Sequence, residues 1–279
     1  MPPKYLTLIR HAEGYHNLTG NHFLLDPCLT PTGLQQCNIL NNTFLQFNHP
    51  STPPPPPQPS LLVSSPLTRT LQTTLCSFST FLSTPPNTDM KVIPLALLQE
   101  CDDIPCDTGR PAEVIQKEFS GKGDLTGLEL GNLIVEHGAG EGRIQWEVLD
   151  SVFPRKVGIY RPAKETLVER ARQARKWLWE REEEHVVAVL HGGFLHYMTE
   201  DWSGHNPRIG TGWYNTEYRT YKFLSAENEV HPMYSIQEIE WSVKRREAEG
   251  QKNKPLSKTE MKEFQETVID GVEGKVPLN

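Results

Sequence analysis

Arg10 and His11 stand side by side directly after the apolar run Tyr5-Leu6-Thr7-Leu8-Ile9. An arginine's planar fork suits a phosphate, and a histidine can act as nucleophile, base or metal ligand. Three further features sit at comparable points along the chain. Arg69 falls in the first turn of a helix opened by Ser65-Pro66, where free backbone N–H groups favour an anion. Glu100 follows a third apolar run, within Leu97-Leu98-Gln99-Glu100-Cys101. His191-Gly192-Gly193 follows the run ending at Leu190, and Gly192 permits close approach of backbone to a ligand. An Arg-His pair, an arginine, a glutamate and a histidine at four strand ends form a set suited to handling an anionic group. His16, His22, His196 and His205 show no HxH or HExxH spacing, so they read as non-ligand histidines and no metal site is expected.

Such residues meet only if the chain folds so that several strands end at one edge. Short apolar runs alternate here with segments of helical period, the pattern of an α/β domain. Tyr5–Ile9, Leu61–Val63 and Val92–Leu95 read as strands, the last an edge strand because of Pro94. Val186–Leu190 is apolar throughout, as a strand buried on both faces must be. Thr30-Pro31 opens a helix whose face is Leu34, Cys37, Leu40 and Phe44. Ser65-Pro66 opens another, through Leu71, Leu75, Phe78 and Leu82, and Leu167, Ala171, Ala174 and Leu178 mark a third, entered through Pro162. Trp177 and Trp179 read as helix packing. Later strand-like runs are Arg219–Leu224 and Ser235–Trp241.

The expected fold is α/β, with a mostly parallel central sheet flanked by helices on both faces and an insertion over the active site. Residues 1–242 form that domain. Within it, 52–59 is an exposed proline-rich loop and 101–160 a cap or insertion. Residues 243–279 form a charged C-terminal tail, loosely packed if at all, with a short helix over Glu260–Val268.

The chain has 279 residues, and its 28 Lys and Arg against 35 Asp and Glu give a net charge of −7. Mean hydropathy is −0.51 and the isoelectric point is near 5.8. An acidic balance argues against nucleic acid or an anionic membrane as partner, while a few local arginines still suffice for a small anion. No run approaches the roughly 20 apolar residues of a membrane span, and Tyr5–Ile9 is too short for a signal segment. Five cysteines without a CxxC pair point to a reduced, cytoplasmic protein, with Cys101 and Cys106 as free thiols.

Taken in order, these motifs resemble the histidine phosphatase superfamily, in its phosphoglycerate-mutase-like branch. Arg10-His11-Ala12-Glu13 stands for the family's Arg-His-Gly-type motif, with Asn17 at the family's spacing. Leu29-Thr30-Pro31-Thr32-Gly33 matches its Leu-Thr-x-x-Gly, and Ser65-Pro66-Leu67-Thr68-Arg69-Thr70-Leu71-Gln72-Thr73 its Ser-Pro-x-x-Arg-x-x-x-Thr. Glu100 and His191-Gly192-Gly193 complete the order, so the resemblance spans about residues 5–225. It implies a metal-independent phosphomonoesterase without cofactor, acting on a small phosphorylated metabolite. His11 would become the phosphohistidine, and Arg10, Arg69 and His191 would form the phosphate pocket, with Asn17 a further contact. Glu100 would be general acid and base. Two guanidinium groups and a protonated His191 would neutralise the transferring phosphoryl group, and a backbone acceptor near Gly14 would keep one nitrogen of a neutral His11 occupied.

Ala12 replaces the hallmark glycine, which a negative φ would tolerate. Gly14-Tyr15 replaces the serine common in mutases, and Cys101–Arg110 resembles fungal and plant phosphatase-like members. Arg110 and Tyr160 in the insertion, and Arg161 directly after it, are candidate substrate contacts. The competing readings are a phosphomutase, the same fold recruited to other chemistry in a specialised pathway, and a pseudoenzyme that binds phospho-ligands or partners through the proline loop and tail.

Overall fold

The computed structural model describes residues 1–45, 54–120, 142–202, 204, 211–224 and 232–250. Its sheet contains β1 (Tyr5–Arg10), β2 (Leu61–Ser64), β3 (Val92–Pro94), β4 (His185–Leu190), β5 (Tyr218–Phe223) and β6 (Ile236–Glu238), in the order β3-β2-β4-β1-β5-β6. The first four in that order run parallel, and β5 and β6 add antiparallel. β4 lies between β2 and β1, buried at every residue, as its unbroken apolar run requires. β3 takes the edge, where the missing N–H of Pro94 is tolerated.

Alternation along the strands builds two cores. Leu6, Leu8, Val63, Val186 and Ala188 pack against α6 (Lys164–Trp179) and α7 (Gly192–Thr199), through Leu167, Ala171, Ala174, Leu178, Phe194 and Met198. Ile9, Leu62, Val187 and Val189 pack on the opposite face against α2 (Pro31–Leu45), α3 (Thr68–Ser77) and α4 (Ser79–Ser83), and Ile115 and Phe119 of α5 (Ala112–Phe119) join that core. The sheet is thus covered on both faces. Trp177 and Trp179 serve packing: Arg181 lies 4.1 Å from the ring of Trp177, and Trp179 meets Phe223 edge-on at 5.3 Å.

Several local expectations change. The expected Ser65-Pro66 start gives way to Leu67 as N-cap of α3, with Asp26 accepting from the backbone N–H and hydroxyl of Thr68 at 2.8 and 2.6 Å. Ser65 is withdrawn from capping because its hydroxyl pairs with His191 Nε2 at 2.8 Å. The single helix expected through Leu82 breaks at Phe78, in a stretch where Thr73, Thr74 and Ser79 hydroxyls bond to preceding carbonyls and compete with the helix ladder.

The proline segment is exposed at Pro54 and Pro57 but partly docked over the rest of its described part. Pro56 and Pro59 are buried, Gln58 donates to Phe44 O, and Pro57 O takes a 2.7 Å bond from His185 Nδ1. Ser235–Trp241 splits into the short β6 and α8 (Glu240–Ala248), so residues 243–248 continue a packed helix instead of a loose tail. Arg246 pairs with Glu238 at 2.7 Å, and the Ser242 hydroxyl accepts from Thr220 N at 3.0 Å. His205 and the segment Glu260–Val268 lie outside the described residues.

One buried histidine makes a stability prediction. His185 Nε2 accepts from Thr7 Oγ1 at 2.8 Å and Nδ1 donates to Pro57 O, while burial pushes its pKa down to about 4. Between pH 6.5 and 4 the unfolded chain takes up a proton that the folded one refuses. This contribution is complete above pH 6.5 and shrinks by about 3 kcal/mol as pH falls through that window. Urea midpoints of His185→Gln should therefore fall less steeply than wild type from pH 6.5 to 4. Parallel curves would refute this.

Candidate active site

Every expected strand end opens on one edge of the sheet. Arg10 is the last residue of β1, His11 follows it, and His191 follows its neighbour β4. Backbone pairing fixes this juxtaposition: Arg10 sits opposite Leu190, and His11 N donates to Leu190 O at 2.9 Å. The rings of His11 and His191 stand 5.2 Å apart. Arg69, second residue of α3, reaches in from the adjacent helix, where its Nε donates to His11 Nε2 at 3.2 Å and its Nη1 to Cys106 O at 2.6 Å. Arg10, His11, Arg69 and His191 are all fully buried.

The state of His11 follows from its contacts. Nδ1 donates to Ala12 O at 2.7 Å, which leaves the lone pair on Nε2. The acceptor is thus the adjacent carbonyl rather than one near Gly14. Ala12 keeps a negative φ, the condition for replacing the hallmark glycine. Burial, then the charges of Arg69 and Arg10, hold the imidazole well below its ordinary pKa and therefore neutral. His191 is neutral too, not protonated as expected: burial and Arg69 push its pKa down. The standing positive charge of the pocket therefore comes from the two guanidinium groups. Asn17, in α1 (Tyr15–Thr19), is buried beside this loop, and its Oδ1 accepts from Gly14 N at 3.0 Å.

Glu100 arrives after β3 and a 3-10 turn over Ala96–Leu98. Its oxygens accept from Cys101 N, Gly193 N and Phe194 N at 2.9, 3.1 and 2.8 Å, across to the start of α7. Both glycines after His191 are spacers. A Cβ on Gly193 would meet Glu100 Oε1 at 2.8 Å, and one on Gly192 would meet Thr211 at 2.8 Å and Arg10 Nε at 3.1 Å. Gly192 thus makes room for the arginine.

The expected substrate contacts in the insertion separate. Arg110 ties Asp26, Thr68 and Glu118 together, with Asp26 at 3.3 Å and Glu118 Oε2 at 2.7 Å. It is a brace between the insertion and the start of α3, not a free cation. Arg161 is exposed after the 3-10 turn Gly158–Tyr160, and among the described residues it makes no side-chain hydrogen bond or ion pair with a site residue. Tyr160 is buried, donating to Asp150 at 2.6 Å. Cys101 and Cys106 are free thiols, and burial and Glu100 raise the Cys101 pKa, opposite to an activated thiolate.

Four residues that the sequence reading did not place in the site join it. Asp107 stands 3.6 Å from Arg69 Nη2 with its side chain 13% exposed, and burial first, then the charge of Glu100, raises its pKa to about 7. Lys156 Nζ donates to Glu100 O at 2.8 Å, and burial lowers its pKa to about 8. Asn215 Nδ2 donates to His11 O at 3.0 Å. His16 lies with its ring 5.7 Å from that of His11. Asp107 sits inside the Cys101–Arg110 segment already singled out, where its Oδ2 accepts from Asp102 N at 3.3 Å. Lys156 and Asn215 come from distant loops with no local signal. Among the described residues no three His, Cys, Asp or Glu side chains are grouped to hold a metal, and no helix is long and apolar enough to cross a membrane.

No protein-family profile matches the chain. A protein of Schizosaccharomyces pombe named probable phosphatase is 28% identical over 191 residues, 68% of this chain and 74% of that protein. A phosphoglycerate mutase-like protein of Arabidopsis thaliana is 26% identical over 223 aligned positions, covering 69% of this chain and 72% of that one. Among solved structures, phosphoserine phosphatase of Entamoeba histolytica with 3-phosphoglyceric acid shares 20% identity at TM-score 0.42, covering 78% of this chain and 90% of that chain. A mycobacterial glucosyl-3-phosphoglycerate phosphatase shares 17% at TM-score 0.45, covering 86% and 98%. Motif order and curated relatives agree: the chain resembles the histidine phosphatase superfamily, in its phosphoglycerate-mutase-like branch.

Proposed function

We propose that this protein is a metal-independent phosphomonoesterase acting on a small phosphorylated metabolite through a phosphohistidine on His11. The observation that carries this reading is the state of His11: neutral, its Nδ1 occupied by Ala12 O, its Nε2 lone pair 3.2 Å from Arg69 Nε. A buried imidazole beside two guanidinium groups is suited to attacking a dianion that the arginines have partly neutralised. In the first step Nε2 forms a bond to phosphorus, the ester P–O bond breaks, and the leaving oxygen takes a proton from a carboxyl. In the second, water adds to phosphorus, the P–N bond breaks, and the proton of water returns to that carboxyl. Glu100 and Asp107 are the carboxyls in place. Burial, then the charge of Glu100, raises the pKa of Asp107 to about 7, so Asp107 joins Glu100 in the proton transfer. Arg10, Arg69, His191 and Asn17 surround the phosphoryl group. The protein works in the cytoplasm in this reading, with neither nucleic acid nor membrane as partner.

The test is a phosphate-release screen over phosphorylated metabolites, with and without chelator. Release should survive chelation and be inhibited competitively by orthovanadate, which takes the trigonal-bipyramidal geometry of the transferring group. Activity lost to chelator and restored by zinc or magnesium would overturn the mechanism.

A further inference from the structure

His16 is buried to 1% exposure, and neither of its ring nitrogens has a hydrogen-bond partner. Two other buried histidines show what a structural imidazole looks like in this protein. His185 bonds through both nitrogens, to Thr7 and Pro57 O, and His196 through both, to Asp201 O and Thr211 O. A buried N–H left without an acceptor is costly, and such groups are rare unless something absent from the free protein completes them.

The surroundings of His16 say what that is. Its ring is 5.7 Å from that of His11, which in turn is 5.2 Å from that of His191. Burial first, then the charge of Arg69, pushes its pKa well down and keeps it neutral. Gly14 supplies a second, independent observation. A Cβ there would stand 2.8 Å from His16 Nδ1 and 2.9 Å from Cε1, so the ring fills the space that a side chain at residue 14 would take.

Resting on the reading of His11 as the phosphoryl carrier, we infer that His16 is a further phosphoryl-binding residue, donating a ring N–H to an oxygen of the phosphoryl group held at His11. Gly14 and His16 then work as one unit: the bare Cα gives the imidazole its place against the nucleophile. A neutral imidazole adds a donor without adding a third repelling cation beside Arg10 and Arg69. His191 offers the same pattern, with Nε2 engaged by Ser65 and Nδ1 unpartnered.

The test measures binding of inorganic phosphate and orthovanadate to wild type, His16→Phe, His16→Asn and Gly14→Ala, with thermal melts on each. Phe keeps the ring volume and removes the donor, and should weaken phosphate about ten- to hundredfold, the range for a hydrogen bond to a charged group. Its melting temperature should hold or rise, since an unpaired buried polar group is lost. Gly14→Ala should weaken phosphate similarly by displacing the ring; at φ −100° the alanine itself adopts the backbone without strain. His16→Asn, which retains a donor, should recover part of the loss, and Gly14→Ala covers the case in which Phe misfolds. Wild-type phosphate affinity in a folded His16→Phe or Gly14→Ala, with only the melting temperature moved, would overturn the inference and leave the phosphatase reading standing. A wild type that binds neither anion and forms no phosphoenzyme would overturn both.

Discussion

His11→Ala should abolish turnover, and rapid quench of the wild-type protein during turnover should trap an acid-labile, base-stable phosphate on His11. The expected loss is as large as the assay can read, because no neighbouring group replaces the nucleophile. His191 is the nearest imidazole, at 5.2 Å between rings, but its Nε2 is engaged by Ser65, and the ring of His16 is 5.7 Å away. The geometry adds a detail that can be checked separately. Since Nδ1 donates to Ala12 O, phosphorylation must occur on Nε2, so 31P–15N correlation should report the Nε2 adduct. Arg69→Ala should also be severely impaired, because Arg69 touches both the nucleophile and the carboxyl side of the pocket. An active His11→Ala, with no phosphohistidine in wild type, would sink the assignment.

Much of this site was legible in the chain because it is built at strand ends. β1 and β4 are written as apolar runs, and the residue that follows an apolar run must emerge at the sheet edge. Once β1 and β4 pair in parallel with Arg10 opposite Leu190, His11 and His191 have nowhere to be but together. What stayed illegible is held by long-range polar contacts, which leave no periodic trace. Asp26 caps α3 from 42 residues away, and so hides the true start of that helix behind a plausible Ser65-Pro66. Arg110 looked like a free cation over the site until Asp26 and Glu118 are seen to hold it. His16 fails differently. Its position was visible, but a lone histidine is more often structural, and only the absence of ring partners separates it from His185.

The carboxyl pair makes the second large prediction. An alkoxide is a poor leaving group unless a proton reaches it as the P–O bond breaks, whereas p-nitrophenolate leaves unaided. Glu100→Gln and Asp107→Asn should therefore each slow alkyl phosphates by roughly 10²–10⁴-fold, the usual span for lost general acid catalysis. Phosphoenzyme formation from p-nitrophenyl phosphate should suffer far less. The two losses should not add in the double variant, because residues that serve one proton transfer act as a unit. The pH profile carries the same signature. Burial and the charge of Glu100 raise Asp107 to about 7, so Asp107 holds its proton below that pH and loses it above. Turnover of alkyl phosphates should then fall as pH rises through 7, and phosphoenzyme formation from p-nitrophenyl phosphate should lack that limb. Glu100→Gln removes the repelling charge, so its residual alkaline limb should move to lower pH. Equal slowing of good and poor leaving groups in both variants would remove the pair as the proton source. An Asp107→Asn variant with wild-type rates on alkyl esters would return the whole duty to Glu100, held by three backbone N–H groups at the start of α7.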